Sequence, residues 1–110
     1  MSQEKTRVVN LRKQQYDVYI GRRKQEAFHY GNPFTHHSQS CAQVLVHTRD
    51  EAVLAFRTWL EGTFMPEVEP ARRLWILAHL KQLKGKTLGC YCKPLACHGD
   101  TLAEMADATD

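Results

Sequence analysis

The pattern of apolar and polar positions predicts two helices in the middle of the chain. The first follows Thr48, which with Glu51 fits a capping box, and it ends at Gly62, a residue typical of helix C-termini. The second begins at Pro70, which suits the first helical position, and ends at Gly85. The apolar positions at helical spacing are Ala52, Val53, Phe56, Trp59 and Leu60 in the first helix, and Leu74, Trp75, Ile76, Leu77, Ala78, Leu80 and Leu83 in the second. We therefore expect both tryptophans in the core.

Three short segments rich in β-branched residues predict strands. These segments are 7–12, 16–21 and 86–92. Region 22–47 carries no clear periodicity, although Asn32-Pro33 indicates a turn and residues 41–46 fit either a short strand or a short helix. Residues 101–108 predict a last short helix, with Asp100 as its N-cap.

This order of elements predicts an α/β fold. The order is β, β, long loop, α, α, β, α, which is typical of a sheet of about three or more strands packed by helices. The chain of 110 residues has an ordinary length for one domain and can bury a core without metal or disulfides. No internal repeat or linker interrupts it, so we expect residues 1–110 to form a single domain.

The first residues are polar, and no apolar run follows them. This predicts a chain without a signal peptide or membrane span, located in the cytoplasm. In that compartment, four cysteines favour metal binding or catalysis over disulfides.

Three of the four cysteines lie within residues 90–98, next to a histidine. If the strand continues through residue 92, Cys90 and Cys92 point to the same face, and Cys97 and His98 arrive at the start of the last helix. Three thiols and one imidazole form a ligand set typical of zinc, and iron or an iron–sulfur cluster fits the same ligand types.

The spacing of these ligands does not determine how many of them bind the ion. A common zinc site has two separated pairs of ligands, whereas this segment has Cys-x-Cys followed by an adjacent Cys-His pair. A three-ligand site with an open position is one alternative, and a ligand from His36, His37 or Cys41 is another.

Two further interpretations of the segment need no metal. A thiol near a helix N-terminus and an imidazole has a lowered pKa, which would make Cys97 and His98 a catalytic pair. In the other interpretation, Cys90 and Cys92 are small core residues and His98 caps the helix.

Basic residues are concentrated in the first quarter of the chain, although the net charge of +3 is mild. They are Arg7, Arg12, Lys13, Arg22, Arg23 and Lys24. A solvated surface explains them as well as an anion-binding face does. Arg22 directly follows Gly21 at a strand end, where an open backbone could approach an anion, and Asn32 could add a hydrogen bond.

Four motifs together resemble the domain of unknown function family 4326, a set of small proteins from bacteria and their phages. The motifs are Val8-Val9-Asn10, Tyr19-Ile20-Gly21-Arg22, Gly31-Asn32-Pro33-Phe34 and the segment from Leu88 to Asp100. The resemblance implies no activity. It implies that six side chains converge on one site: Arg22, Asn32, Cys90, Cys92, Cys97 and His98.

The sequence thus favours a metal-binding α/β protein that binds or acts on a phosphate-bearing ligand, either a nucleotide or nucleic acid. In this hypothesis Cys90, Cys92, Cys97 and His98 hold the ion, and Asn32 orients the ligand. Arg22, with Arg7 or Arg12, binds phosphate. The alternatives are a non-enzymatic nucleic-acid-binding module with a structural metal, and a thiol-dependent enzyme or redox protein.

Overall fold

The computed structural model describes residues 5–23, 26–37 and 43–109. Its elements are β1 (Arg7–Asn10), β2 (Val18–Tyr19), β3 (Phe34–Thr35), β4 (Val44–Leu45), α1 (Arg49–Glu61), α2 (Pro70–Leu83), β5 (Thr87–Cys90) and α3 (His98–Asp107). This mixture of helices and small sheets confirms the predicted α/β class. None of the described helices combines the length and the apolar character needed to cross a membrane.

The main sheet contains three parallel strands in the order β1-β5-β2. The central strand β5 aligns Leu88 with Val8 on one side and with Val18 on the other. Because all three strands are parallel, their carboxyl ends meet at one edge of the sheet. The loops that carry Arg22 and Cys92 therefore leave the sheet from the same edge.

The predicted ends of α1 and the start of α2 are confirmed. The Thr48 hydroxyl accepts a hydrogen bond from the Glu51 backbone N–H at 3.1 Å. Gly62 ends α1 in the left-handed conformation with φ of 85°, and Pro70 occupies the first turn of α2. These signals succeed because each depends on residues only a few positions apart.

The predicted core of the helices is correct for α1 and too broad for α2. Trp59 is fully buried, and Trp75 is half-buried against the core. Leu74 is 60% exposed and Ala78 is also exposed, contrary to the sequence analysis. The buried stripe of α2 instead follows Arg72, Ile76, Leu80 and Leu83, which places Leu74 on the opposite side of the helix.

The predicted strands are too long, which changes the position of one cysteine. Strand β5 ends at Cys90, so Cys92 lies in the following turn and not on the strand. Strand β1 ends at Asn10, whose side chain binds the Lys93 carbonyl at 2.8 Å and so ties that turn to the sheet. The prediction that the strand continues through Cys92, and that Cys90 and Cys92 share one of its faces, is therefore wrong.

Two predictions about irregular regions are also corrected. Helix α3 begins at His98, three residues earlier than predicted, because Cys97 and not Asp100 is its N-cap. Region 22–47 contains the short parallel strands β3 and β4, where Val46 N–H donates to the Thr35 carbonyl at 2.7 Å. Cys41 and Lys24 lie outside the described residues.

The first turn of α3 packs directly on the main sheet at Gly99. A Cβ atom at this position would overlap Cδ1 of Ile20 and lie 3.0 Å from Cγ1 of Val8. Both Gly99 and Ile20 are buried, so the neighbours have little room to move. The absence of a side chain at Gly99 therefore sets how closely α3 approaches the strands.

We predict that Gly99→Ala lowers the free energy of unfolding by about 1–3 kcal/mol, the usual cost of overpacking a core. Urea denaturation measures the change. Adding Ile20→Val removes Cδ1 and relieves the overlap, so the double variant should be more stable than the sum of the two single effects predicts. Additive losses would show that Gly99 is not limited by Ile20.

Candidate functional site

A pocket of about 200 Å³ lies at the carboxyl edge of the main sheet. It is enclosed by the loops after β2 and β5 and by the first turns of α1 and α3. Five of the side chains that were expected to converge line it: Arg22, Asn32, Cys92, Cys97 and His98. The other lining residues are Phe34, Thr35, His36, His37, Arg49, Ala52, Val53 and Ala96. The charged side chains among these lining residues are Arg22 and Arg49, and no carboxylate occurs among them.

Backbone and side-chain hydrogen bonds fix Arg22 and Asn32 in the pocket wall. Arg22 Nη1 donates to the Asn32 carbonyl and to Glu69 Oε2, each at 3.3 Å. The Asn32 amide donates to the Ala52 carbonyl at 2.8 Å and accepts from the Phe34 N–H at 2.9 Å. Asn32 therefore ties its loop to α1, and its role in orienting a ligand stays a prediction.

The sequence analysis missed a buried arginine behind this wall. Arg72 is 3% exposed and donates to the carbonyls of His29 and Gly31 at 3.0 and 2.6 Å. Its Nε also donates to Glu69 Oε1 at 2.8 Å. Burial opposes ionisation of Glu69, but hydrogen bonds and charges from Arg72 and Arg22 outweigh it and lower the pKa of that carboxyl. In the sequence, Arg72 stands one helical turn before Ile76, and this spacing is the signal that could have placed it on the buried side of α2.

The three thiols of the cysteine segment interact with one another. Hydrogen bonds from the Cys92 and Cys97 thiols, helped by backbone N–H groups, lower the pKa of Cys90 far below the ordinary thiol value. The same hydrogen bonds to Cys90 are the largest cause of the raised pKa values of Cys92 and Cys97. The Cys90 sulfur therefore accepts hydrogen bonds from the other two thiols, which favours ionisation of Cys90 over that of its neighbours.

Cys97 and His98 are close together, but their environment does not favour a reactive Cys97. The Cys97 sulfur is buried, accepts the Gly99 N–H at 3.3 Å and lies 3.7 Å from His98 Nδ1. His98 Nε2 lies 2.7 Å from the Ile20 carbonyl, which can only accept, so Nε2 carries the hydrogen and Nδ1 keeps its lone pair. Burial lowers the pKa of His98 and keeps it neutral. A buried thiol with a raised pKa is a poor nucleophile.

The described residues do not form a preformed metal centre. Among the described residues, no group of three or more His, Cys, Asp and Glu side chains is arranged so that it could hold an ion. The rings of His36 and His37 contact each other in the pocket wall, with centroids 3.9 Å apart and planes tilted by 39°. Zinc binding by Cys90, Cys92, Cys97 and His98 therefore stays a prediction.

Arg7 and Arg12 do not join Arg22 in the pocket. Arg7 begins β1 and binds Thr87 Oγ1 at 3.5 Å, so its backbone lies about 10 Å from the carboxyl edge of the sheet. Arg12 lies at the correct edge but places its guanidinium 5.0 Å from the centre of the Tyr91 ring. The structure brings only Arg22 of these three arginines into the pocket.

The protein is a small α/β protein with a parallel sheet, and arginines and thiols line a pocket at the carboxyl edge of that sheet. The chain belongs to DUF4326, a domain of unknown function, whose family model matches residues 3–108. This confirms the resemblance found in the sequence.

A phage protein also shares a short segment with the chain. It is the "Uncharacterized 12.4 kDa protein in nrdA-td intergenic region" of Enterobacteria phage T4, 53% identical over 30 residues. The match covers 27% of this chain and 28% of the phage protein. No solved structure matches the chain significantly.

The loop behind the pocket contains a histidine whose pKa is lower in the folded protein than in the unfolded chain. His29 Nδ1 accepts the Gly31 N–H at 3.0 Å. Burial, together with the charges of Arg72 and Arg22, lowers the pKa of His29 from 6.5 to about 4. Because the unfolded chain binds the proton more tightly, the stability contributed by neutral His29 is present above pH 6.5 and is lost as the pH falls towards 4.

We predict that a change of pH from 7 to 5 lowers the free energy of unfolding of the native protein by about 2 kcal/mol more than it lowers that of a His29→Asn variant. The asparagine oxygen can replace Nδ1 as the acceptor without binding a proton. Urea denaturation at both pH values measures the difference. His47→Asn, at a highly exposed position, is the matched control and should behave like the native protein. Equal pH dependence of the native protein and His29→Asn would contradict the assignment.

Proposed function

We propose that this protein binds a small phosphate-bearing ligand of the nucleotide class in the pocket at the carboxyl edge of the sheet. One observation carries the proposal: Arg22 and Arg49 converge there from different elements, and no carboxylate stands among the lining residues. Guanidinium groups bind phosphate through paired, charge-assisted hydrogen bonds. Ligands of open α/β sheets usually bind at this edge.

The fixed position of Arg22 supports phosphate binding. Within the described part of the chain, its bonds to Asn32 and Glu69 are both made by Nη1. The Nε and Nη2 donors are then left for a ligand. Glu69 holds the guanidinium from behind, which reduces the entropy lost when a phosphate binds.

The helix termini support the same ligand charge. Arg49 is the first residue of α1, and His98 is the first residue of α3, and both line the pocket. Backbone N–H groups at helix N-termini carry partial positive charge and favour anions. The two arginines and the start of α1 therefore favour an anion in the pocket, whereas the Gly99 and Asp100 N–H groups of α3 already donate to Cys97.

The size and lining of the pocket limit the ligand. A volume of about 200 Å³ is below the roughly 300–1,000 Å³ typical of drug-sized ligands. Phe34, Ala52 and Val53 give one side an apolar surface. This favours a single nucleotide over a whole dinucleotide.

We predict that Arg22→Gln weakens binding of a nucleoside monophosphate by roughly 10- to 100-fold, because it removes a charged hydrogen-bond donor. Isothermal titration calorimetry at low salt measures the affinity, and circular dichroism checks the fold. Arg57→Gln removes the same charge from a position where Arg57 pairs with Glu104 on α3, and it should bind normally. The proposal is wrong if the native protein fails to bind, or if both variants bind equally well.

A second candidate function of the same site is zinc binding. Two observations favour it: the three thiols interact with one another, and the Ile20 carbonyl fixes the His98 ring with Nδ1 as its open nitrogen. Histidine ligands commonly have their other nitrogen fixed in this way. The 3.7 Å between Cys97 sulfur and His98 Nδ1 is close to the ~3.6 Å that tetrahedral zinc bond lengths give for two ligands of one ion.

Elemental analysis of protein purified without chelators tests this candidate. We predict about one zinc per chain, lost when Cys90 and Cys92 are both changed to Ala, and retained in a His36→Ala variant. Protein that contains neither zinc nor iron would contradict metal binding by the cysteine segment. Nucleotide binding by that metal-free protein would leave the first proposal intact.

A further inference from the structure

Side chains on the sheet face opposite α3 have no role in the pocket. Because side chains alternate along a strand, Gly89 faces away from its buried neighbours Leu88 and Cys90, which belong to the core. Tyr19 pairs with Gly89 in the sheet register, and the Tyr16 ring lies over Gly89. Tyrosines therefore cover the sheet face that α3 does not.

Aromatic and guanidinium groups form a continuous row along the carboxyl edge of that face. The rings of Tyr19 and Tyr91 contact edge to face, with centroids 6.2 Å apart. The Arg12 guanidinium lies 5.0 Å from the Tyr91 ring centre, and that of Arg23 lies 5.1 Å from the Tyr19 ring centre. The order Arg12, Tyr91, Tyr19, Arg23 follows the strand order β1-β5-β2. We call these four residues the tyrosine row.

Two of the three tyrosines on this face are exposed, and the third, Tyr19, is half-buried. Tyr91 is 55% exposed and Tyr16 is 44% exposed, whereas Tyr30, the one tyrosine of four outside this face, is buried in the core. Large aromatic side chains left in contact with water often mark a binding surface. Arg12 and the neighbouring Lys13 are exposed as well.

We propose that the tyrosine row binds single-stranded nucleic acid. Proteins that bind single strands combine aromatic rings, on which bases stack, with cations that neutralise the phosphates, and the row alternates these two groups. Double-stranded nucleic acid hides the faces of its bases, so the exposed rings offer it nothing. The proposal does not depend on the ligand of the pocket, because none of the four residues lines it.

An acidic neighbour reduces the charge of the row only slightly. Glu26 pairs with Arg23 at 3.7 Å, but both side chains are about half exposed. Such surface ion pairs contribute little and exchange readily for another anion. A phosphate can therefore compete with Glu26 for Arg23.

Fluorescence anisotropy of the full chain with labelled oligothymidylate DNA, oligouridylate RNA and a DNA duplex tests the proposal. We expect the single strands to bind more tightly than the duplex, and the comparison of DNA with RNA identifies the preferred strand. Tyr91→Ala should weaken single-strand binding by roughly 5- to 100-fold through lost stacking, while Tyr91→Phe should retain it. Arg12→Gln should reduce the slope of log affinity against log salt concentration by about 1, the effect of one lost phosphate contact. Arg57→Gln is the charge-matched control and should leave this slope unchanged.

Three results would overturn the proposal: no binding of either single strand at low salt, equal binding of duplex and single strands, or equal losses in Tyr91→Ala and Tyr91→Phe. The first means that the row has no nucleic-acid ligand. The second means that charge alone causes binding, and the third assigns Tyr91 a role other than stacking. Circular dichroism of each variant separates these results from loss of the fold.

Discussion

A buried guanidinium organises the region around the pocket. Arg72 reaches from α2 to two loop carbonyls, those of His29 and Gly31, and to the carboxylate of Glu69. Glu69 in turn accepts a hydrogen bond from Arg22. The backbone of Glu69 is left-handed, with φ of 41°, a conformation that is strained for a residue other than glycine. A buried charge is costly unless it is paired and hydrogen-bonded, and Nε and Nη1 of Arg72 find such partners in Glu69 and the two carbonyls. That arrangement places Arg22 at the pocket.

The parallel sheet determines where the chemistry collects. With β5 between β1 and β2, the loop after β2 and the cysteine turn after β5 leave the same edge, although about 70 residues separate them in sequence. Gly99 lets the first turn of α3 approach this edge closely, and Cys97 and His98 come with it. The same strand order places Tyr91 beside Tyr19 on the other face. The loops after β2 and β5 thus contribute residues to both the pocket and the tyrosine row.

Sequence reasoning succeeded where the signal was local and failed where distant contacts decide. Thr48, Gly62 and Pro70 mark helix ends through neighbours within one turn, and these predictions were correct. The start of α3 was misplaced because Cys97, with its sulfur as the cap, is not a typical N-cap residue. Arg72 was missed because a buried arginine needs partners that only the folded loop supplies. Strands β3 and β4 depend on pairing across residues that show no period of their own.

The pocket, and not the rest of the basic surface, is the proposed binding site of the small phosphate-bearing ligand. NMR titration of ¹⁵N-labelled protein with adenosine monophosphate tests it most directly, because each backbone amide reports separately. We expect the largest shift changes at Arg22, Arg49 and His98, with Arg7 at the opposite edge of the sheet unchanged. Changes centred on Arg7, or none at millimolar ligand, would contradict the claim.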